Sequence, residues 1–255
     1  MLKQVRVVKV GGRAVADAGW LADVVARIAA SGRPTVIVHG GGPEVTELSR
    51  QLGVPVAWHQ GRRITTPEAL RVATMVLSGW TNKRVVGALL DGGVDAVGLS
   101  GEDGALLLAE VAEGGQLGRV GRIVHVRTEL IERLLGAGLV PVISPISRGV
   151  DGQPLNVNAD DAAAAVAGAL GAVELLFLTD VDGVHDGVGE RAMLTLAEAA
   201  ALIGSGVARD GMAVKLDAAA AALAAGVPTI RIGPSGILDG TAAGTTIVQE
   251  AEAVA

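Results

Sequence analysis

The sequence contains no cysteine, and this absence excludes disulfide bonds and metal sites built from thiolates. Aromatic residues make up only 2% of the 255 residues, and acidic residues outnumber basic ones by 27 to 21, for a formal net charge of −6. Nucleic-acid-binding proteins generally carry a basic surface and often aromatic side chains on which bases stack. The composition therefore argues against a nucleic-acid partner.

No stretch of the sequence has the length and apolar character of a membrane span. The apolar stretch Ala159–Leu178 contains Asp160, Asp161 and Glu174, so it predicts a soluble helix that leads into a strand. The opening segment Met1–Val10 is too short, and too often interrupted by polar residues, to form the apolar part of a signal peptide. We therefore expect a cytoplasmic protein with no membrane partner.

Common catalytic motifs are missing as well. A Walker A loop contains a Gly-Lys pair, but none of the four lysines (Lys3, Lys9, Lys83 and Lys215) follows a glycine, which excludes a P-loop. G-x-S-x-G and H-E-x-x-H are absent, which argues against an α/β-hydrolase nucleophile and a zincin site. The four histidines are scattered along the chain, so we expect no histidine-based metal site.

What is present is an alternation of short β-branched runs with longer helical segments. This pattern predicts an α/β protein, a three-layer αβα sandwich with a largely parallel central sheet. Two glycine-punctuated stretches, Trp58–Thr65 and Ala105–Arg127, predict β-hairpins added to the main sheet, the first of them a candidate lid. The predicted strands are Val5–Val10, Thr35–Val38, Ala96–Leu99, Pro141–Ile143, Leu175–Thr179 and Thr229–Ile232. The predicted helices are Trp20–Ala30, Glu44–Leu52, Pro67–Leu77, Asn82–Leu90, Thr128–Leu135, Ala159–Leu170, Leu196–Ile203 and Met212–Ala224.

Two glycine-rich loops follow the first two predicted strands. K-V-G-G ends the first at Lys9–Gly12, and H-G-G-G ends the second at His39–Gly42, just before a helix. The carboxyl ends of parallel strands share one edge, where ligands bind, and glycines let backbone N–H groups converge on an anion. One such loop alone is more simply a tight turn. Two on one edge, one of them with a lysine, predict an anion-binding site of a kind that suits a phosphoryl group.

Lysine usage supports this interpretation. Of the 21 basic residues only four are lysines, so arginine is the ordinary cation of this sequence. Lysine is a compact point charge that can approach a phosphoryl oxygen, whereas guanidinium is a planar fork. Lys9 at a strand end and Lys215 near the start of a helix therefore indicate a function, while Lys83 is typical of a solvated helix residue.

Two polar segments complete the candidate chemistry. In N-V-N-A-D, Asn156 and Asn158 point the same way from an extended segment, and Asp160 could orient lysines on either side. The alternative is that Asn158 caps the next helix and that the acids are solvated. The acidic segment Thr179–Asp186 could hold Mg²⁺ or the sugar and adenine of a nucleotide, or be a polar turn; its spacing fails the EF-hand pattern.

Eight motifs occur in an order that resembles the amino acid kinase family, and they span the chain from Lys9 onward. They are K-V-G-G, V-I-V-H-G-G-G-P, G-R-R-I-T, N-K-R-V-V, G-L-S-G-E-D-G, N-V-N-A-D, L-T-D-V-D-G-V and D-G-M-A-V-K. The resemblance implies one kinase domain over residues 1–255, with an acid-binding and dimerisation lobe at 1–170 and a nucleotide-binding lobe at 171–255. Within the family, the motifs are most similar to members that phosphorylate the side-chain carboxylate of N-acetyl-L-glutamate with ATP in arginine biosynthesis.

The resemblance also implies roles for individual residues. Lys9 and Lys215 would stabilise the transferring phosphoryl group, and Asp160 would organise both lysines. Mg²⁺ would be held mainly by the nucleotide, so no protein ligand to a metal is expected. The acid would bind Gly41, Gly42, Arg63, Asn156 and Asn158, and the nucleotide Gly11, Gly12, Asp180, Val181, Asp182, Gly183, Val184, His185, Val207, Ala208 and Arg209.

Two departures and two alternatives accompany this assignment. Arg62 and Arg13 are additional cations relative to the family pattern and could shift the preferred acceptor. A related kinase acts on aminoadipate linked to an acidic carrier protein, which calls for a basic rim that a chain of net charge −6 lacks globally. A non-catalytic metabolite sensor with the same fold is the alternative from another class.

The resemblance finally implies an assembly. Arginine-inhibited members of the family carry an additional N-terminal helix, whereas here only Met1–Gln4 precedes the first strand. We therefore expect a homodimer that arginine does not inhibit, paired through the apolar face of Asn82–Leu90 or Pro67–Leu77.

Overall fold

Strands and helices alternate along the chain as expected. The computed structural model describes residues 4–59 and 61–250, with only the backbone at residues 13 and 14. Of the segment Met1–Gln4, the structure therefore describes only Gln4. The side chain of Arg13 also lies outside the described residues. The strands are β1 Arg6–Val10, β2 Thr35–His39, β3 Ala57–His59, β4 Arg62–Ile64, β5 Ala96–Gly101, β6 Leu107–Val111, β7 Val120–Val126, β8 Val140–Gly149, β9 Pro154–Val157, β10 Glu174–Leu178, β11 Val184–His185, β12 Glu190–Arg191, β13 Met193–Thr195, β14 Ile230–Gly233 and β15 Thr245–Val248. The α-helices are α1 Gly12–Ala16, α2 Ala18–Ser31, α3 Gly42–Gln51, α4 Pro67–Thr74, α5 Asn82–Asp91, α6 Thr128–Gly136, α7 Ala159–Leu170, α8 Leu196–Gly204 and α9 Asp210–Ala224.

A large, mostly parallel sheet organises the described residues. Its strands lie in the order β13-β15-β14-β10-β1-β2-β8-β6-β7-β9, and β5 also pairs with β8. The central strands β14, β10, β1, β2 and β8 are parallel to their neighbours in this run. Val10, the last residue of β1, pairs with His39 of β2 and with Leu178 of β10. The three loops that follow these strands therefore leave the sheet side by side.

The apolar runs of the central strands feed two cores on opposite faces of the sheet. Val7, Val36 and Phe177 belong to one core, which includes the alanines of α7 and α9. Val8 and Ile37 belong to the other, together with buried residues of α2 and α5. Successive side chains of a strand point to opposite faces, so a strand covered on both faces is apolar throughout. This arrangement confirms the predicted three-layer αβα fold.

Small residues bring α7 and α9 close together. A Cβ on Gly168 would lie 2.6 Å from the Cβ of Ala225, so only glycine fits this approach. Most of the inward positions of both helices are alanine, as in the buried residues Ala162, Ala163, Ala218 and Ala219. The close packing carries the first turn of α7 toward the second turn of α9, on the side of the sheet to which Lys9 points.

Several expectations need correction. The predicted hairpin at Trp58–Thr65 forms, as β3 and β4, but these two strands pair with each other in a separate two-stranded sheet rather than joining the main sheet. Thr65, just after β4, makes one isolated bridge to Gly118. The hairpin of β6 and β7 does join the main sheet. The predicted helix Pro67–Leu77 ends at Thr74 and continues into α5 through a π-helical segment, Met75–Thr81. The short helix α1 was not predicted, because glycines at its start conceal its helical character.

Among residues 4–59 and 61–250, no helix is both long enough and apolar enough to cross a membrane.

Candidate active site

The two glycine-rich loops touch each other at the carboxyl edge of the sheet. Gly11 and Gly12 follow β1, and the second loop follows β2 and leads directly into α3. A Cβ on Gly12 would lie 2.9 Å from both the Cα and the N of Gly41, so any larger residue would push the loops apart. No side chain caps the start of α3 at Gly41, which leaves its first N–H groups available to an anion.

Lys9, Asp160 and Lys215 form one buried ionic cluster beside these loops. Asp160 Oδ1 lies 2.9 Å from Lys9 Nζ and accepts a hydrogen bond from Lys215 Nζ at 3.0 Å. All three side chains are 8% exposed. Lys215 Nζ also lies 5.4 Å from the ring centre of Phe177, the strand partner of Lys9. The sheet and the α7–α9 contact thus bring together the three residues that the resemblance assigned to catalysis.

The cluster carries one more positive than negative charge. Burial by itself would raise the pKa of Asp160, but the charges and hydrogen bonds of Lys9 and Lys215 outweigh it and hold that pKa below its ordinary value. Burial, together with the nearby charge of Lys9, lowers the pKa of Lys215 to about 8. The charge of Asp160 raises this pKa but does not outweigh the two other effects. Two ammonium groups on one carboxylate leave unbalanced positive charge, which favours an incoming anion.

Arg63 lines a cavity of about 190 Å³ next to the cluster. Its Nη2 donates to the carbonyl oxygen of Gly42 at 3.1 Å and to Thr46 Oγ1 at 2.7 Å. Burial lowers the pKa of this guanidinium, which is 9% exposed. Arg63 makes no ion pair with any residue that the structure describes. Its remaining donors can therefore meet an anion inside the cavity. We name this space the acid cavity.

The two asparagines line the acid cavity but differ in their bonds. Asn158 Oδ1 accepts a hydrogen bond from the Asp160 N–H at 2.8 Å and so caps α7, as the alternative interpretation stated. Asn156 Nδ2 donates to Thr65 Oγ1 at 3.1 Å and takes no part in capping. The structure places the remaining acid-site candidates, Gly41 and Gly42, in the same wall.

A larger cavity of about 670 Å³ opens on the other side of the cluster, and we name it the nucleotide cavity. Four of the candidates assigned to the nucleotide line it: Gly11, Gly12, Asp180 and Val181. The other seven (Asp182, Gly183, Val184, His185, Val207, Ala208 and Arg209) lie outside its lining. Val184 is buried, and its N–H donates to Thr245 Oγ1 at 2.8 Å.

The two cavities meet at the ionic cluster. Lys9, Gly12, Gly42 and Asp160 line both of them. A group bound at this junction is within reach of the contents of either cavity. The arrangement suits the transfer of a charged group from one bound molecule to another.

The sequence did not predict some of the residues that line the site. Trp58 and Asp210–Met212 line the nucleotide cavity. The D-G-M that opens α9 stands in the same motif as Lys215, so the motif itself carried the signal for that wall. For Trp58 the sequence carried no signal, because a tryptophan in a predicted hairpin is equally consistent with a surface position.

His39 is a further residue whose role was not predicted. It is fully buried at the end of β2, and burial lowers its pKa to about 4, so it is neutral. Asn82 Nδ2 donates to His39 Nε2 at 3.1 Å, so Nδ1 carries the proton and bonds the Gly40 carbonyl oxygen at 3.1 Å. The imidazole thereby holds the second glycine-rich loop through the carbonyl oxygen of Gly40.

No group of three or more histidines, aspartates or glutamates in the described ranges is arranged to hold a metal ion.

The chain is similar to known proteins along most of its length. The model of the amino acid kinase family matches residues 4–234. A protein of Rubrobacter xylanophilus named acetylglutamate kinase is 49% identical over 240 residues, 93% of each chain. One of the same name from Roseiflexus sp. is 45% identical over 250 residues, 96% of this chain and 94% of that protein. The crystal structure of smu.665 from Streptococcus mutans has a TM-score of 0.87 at 29% identity and covers 96% of this chain and 99% of that chain.

Proposed function

The chain belongs to the amino acid kinase family, and on that premise we propose that it transfers the γ-phosphoryl group of ATP to the side-chain carboxylate of N-acetyl-L-glutamate. The products are N-acetyl-L-glutamyl 5-phosphate and ADP, in arginine biosynthesis. The observation that supports this best is the ionic cluster at which the two cavities meet. The relatives at 42–49% identity carry the name of this activity, which confirms the family resemblance of the motifs.

The acid binds in the smaller cavity. Arg63 takes its α-carboxylate through the guanidinium donors that Gly42 and Thr46 leave free. Asn156 binds the acetamido group, while Asn158 contributes mainly by holding the start of α7. The backbone N–H groups of Gly41 and Gly42 face the reacting carboxylate, at the junction with the nucleotide.

The reaction is an in-line displacement at phosphorus. An oxygen of the side-chain carboxylate forms a bond to the γ-phosphorus, and the bond from that phosphorus to the β,γ-bridging oxygen breaks, so ADP leaves with the electron pair. A carboxylate is ionised at neutral pH, so no general base is required, and positioning with charge stabilisation suffices. Lys9 and Lys215 neutralise the charge on the phosphoryl oxygens, and Asp160 holds both ammonium groups in place.

ATP and Mg²⁺ belong to this proposal. The nucleotide cavity offers a glycine loop and two lysines to the phosphates, so its residues fit a nucleotide. Mg²⁺ bound to the phosphates would supply further neutralisation of their charge. No described cluster competes for the ion, so the nucleotide itself would hold it. The segments 182–185 and 207–209 remain candidates for the end of the nucleotide that lies farthest from the cluster.

The division into lobes, the assembly and the location also remain proposals. We retain an acid-binding lobe at 1–170 and a nucleotide-binding lobe at 171–255. Met75, which follows α4, and Leu90 of α5 are each 52% exposed, and they support a homodimer paired through the face of Asn82–Leu90 or of Pro67–Leu77. A reaction that consumes ATP for biosynthesis is placed in the cytoplasm, where ATP is available.

Release of ADP by the purified protein tests the function. The assay compares N-acetyl-L-glutamate, L-glutamate, free aminoadipate and carrier-linked aminoadipate, and hydroxylamine trapping identifies the acyl phosphate as the product. We expect turnover with N-acetyl-L-glutamate far above the other three. No turnover with any of them would favour the metabolite-sensing alternative, and turnover only with carrier-linked aminoadipate would favour the kinase of the other pathway.

A further inference from the structure

The hairpin of β3 and β4 contributes lining residues to both cavities. On one face, Arg63 reaches α3 through Gly42 and Thr46. On the other face, Arg62 Nη1 forms an ion pair with Asp161 of α7 at 3.0 Å. At the turn, a Cβ on Gly61 would lie 3.4 Å from the Asp210 carbonyl oxygen at the start of α9. Side-chain contacts thus tie the hairpin to α3 and α7, and its turn passes close to the start of α9, although β3 and β4 do not pair with a strand of the main sheet.

Trp58 and Arg63 stand directly opposite each other in this hairpin and share one face. The Arg63 Cζ lies 4.4 Å from the centre of the Trp58 ring, so the guanidinium stacks on the indole. Trp58 lines the nucleotide cavity, and Arg63 lines the acid cavity. The stacked pair therefore forms part of the wall between the two substrates.

The surroundings of Arg63 explain why an aromatic ring beside it matters. A buried guanidinium loses hydration, and the described residues provide no carboxylate that would balance its charge. Two hydrogen bonds hold only its Nη2. Rotation about the remaining bonds of the side chain would still swing the other donors out of the acid cavity. A ring against one face of the guanidinium restricts that rotation and leaves the edge of the fork for a ligand.

We propose that Trp58 is a positioning residue for acid binding, which acts by holding the Arg63 guanidinium edge-on to the carboxylate of the substrate. The inference rests on the proposed function for the identity of the acid. It goes beyond that function because it assigns part of the acid's affinity to a side chain that lines the nucleotide cavity. Trp58 is 54% exposed, so burial in a core does not explain its position.

The test compares three variants with the wild type. Trp58→Ala removes the ring, Trp58→Phe keeps a smaller aromatic face, and Trp80→Ala is the matched control. Trp80 also lies over an arginine, Arg84, at 5.4 Å, but it is 66% exposed and lines neither cavity. Size-exclusion chromatography with light scattering first verifies that each variant assembles as the wild type does.

We expect Trp58→Ala to raise the KM for N-acetyl-L-glutamate roughly tenfold, which corresponds to about 1.4 kcal/mol. The KM for ATP and kcat should change by less than about threefold, because phosphate contacts and the lysines are untouched. Trp58→Phe should recover most of the affinity for the acid, and Trp80→Ala should match the wild type. Calorimetric titration of the acid without ATP should give the same ranking of Kd values.

The outcomes separate this inference from the proposed function. A wild type that binds the acid without phosphorylating it refutes the function, while the ranking of the Kd values still decides the role of Trp58. A wild type that neither binds nor phosphorylates it refutes both. Unchanged acid affinity in Trp58→Ala, equal losses for both substrates, or failure of Trp58→Phe to recover affinity would each overturn the positioning role.

Discussion

The acid cavity and the nucleotide cavity share a wall but differ in how they are built. The acid cavity is about 190 Å³, and all five residues assigned to it from the motifs line it. The nucleotide cavity is about 670 Å³, and only four of its eleven assigned residues line it. Residues assigned from motifs at the ends of regular elements therefore share one cavity, whereas residues assigned from a long loop segment do not.

The physical origin of the difference lies in the sheet. Parallel pairing fixes where β1 and β2 end relative to each other, so their loops must meet. The acidic segment after β10, Thr179–Asp186, instead contains the short strand β11, which pairs with β12 outside the main sheet. No ladder of the main sheet fixes how far that segment lies from the glycine-rich loops. Variants at the ionic cluster and in the wall of each cavity test whether the two cavities bind their substrates independently.

The largest effect is expected at the ionic cluster of Lys9, Asp160 and Lys215. Lys9→Ala and Lys215→Ala should each lower kcat by roughly 10²–10³-fold, the usual cost of removing one preorganised charge-stabilising group. Steady-state kinetics with both substrates measures the effect. Lys83→Ala is the control, because this exposed lysine lies on α5 and lines neither cavity. Near-normal turnover of either active-site variant would remove that lysine from the mechanism.

One variant in each cavity should weaken the binding of one substrate and leave the other substrate's KM unchanged. Arg63→Ala should raise the KM for the acid by roughly 10- to 100-fold, because a charged hydrogen-bonded contact is lost, and leave the KM for ATP nearly unchanged. Met212→Ala, in the wall of the nucleotide cavity, should raise only the KM for ATP, by roughly threefold to tenfold for a lost apolar contact. If both variants weakened both substrates alike, the two cavities would act as one site.

The pH dependence should report the charge of Lys215. Its pKa is lowered by burial from 10.5 to about 8, so kcat/KM should fall as pH rises through about 8 and the ammonium group becomes neutral. At saturating ATP the anionic phosphates stabilise the ammonium form, so the decline of kcat should move to higher pH.

The stability of the fold should change in the opposite sense over the same range. Because the folded state releases the Lys215 proton more easily than the unfolded state, this group makes the free energy of unfolding rise between pH 8 and 10.5. Melting curves recorded beside the kinetics therefore distinguish titration from unfolding. A flat kcat/KM up to pH 10 would show that Lys215 keeps its proton or that its charge is not required.

The smallest effect is expected from the two neighbouring asparagines. Asn158→Ala should lower the free energy of unfolding by about 1 kcal/mol, because the cap of α7 is lost, whereas Asn158→Asp should keep it. Asn156→Ala should leave stability nearly unchanged and raise the KM for the acid. Thermal unfolding together with acid titration separates the two roles. Equal melting temperatures for Asn158→Ala and Asn158→Asp would contradict the capping role.

The sequence by itself determined the elements and the ligand-binding edge. The central strands were predicted within one or two residues at most ends because a strand buried on both faces is a continuous apolar run, as at Thr35–His39. Glycines directly after two such strands, one of which carries Lys9, predicted an anion site. Capping chemistry also acts locally, so the start of α7 at Asn158 could be foreseen.

Only the tertiary structure decided the distances that make this edge a site. Asp160 lies between Lys9 and Lys215 because alanines and Gly168 let α7 and α9 pack closely, and no local pattern encodes that approach. The separate pairing of the β3–β4 hairpin and the stack of Arg63 on Trp58 likewise depend on contacts between remote segments. Periodicity records how each residue is buried within its own element, whereas the spacing between elements follows from how all their side chains pack together.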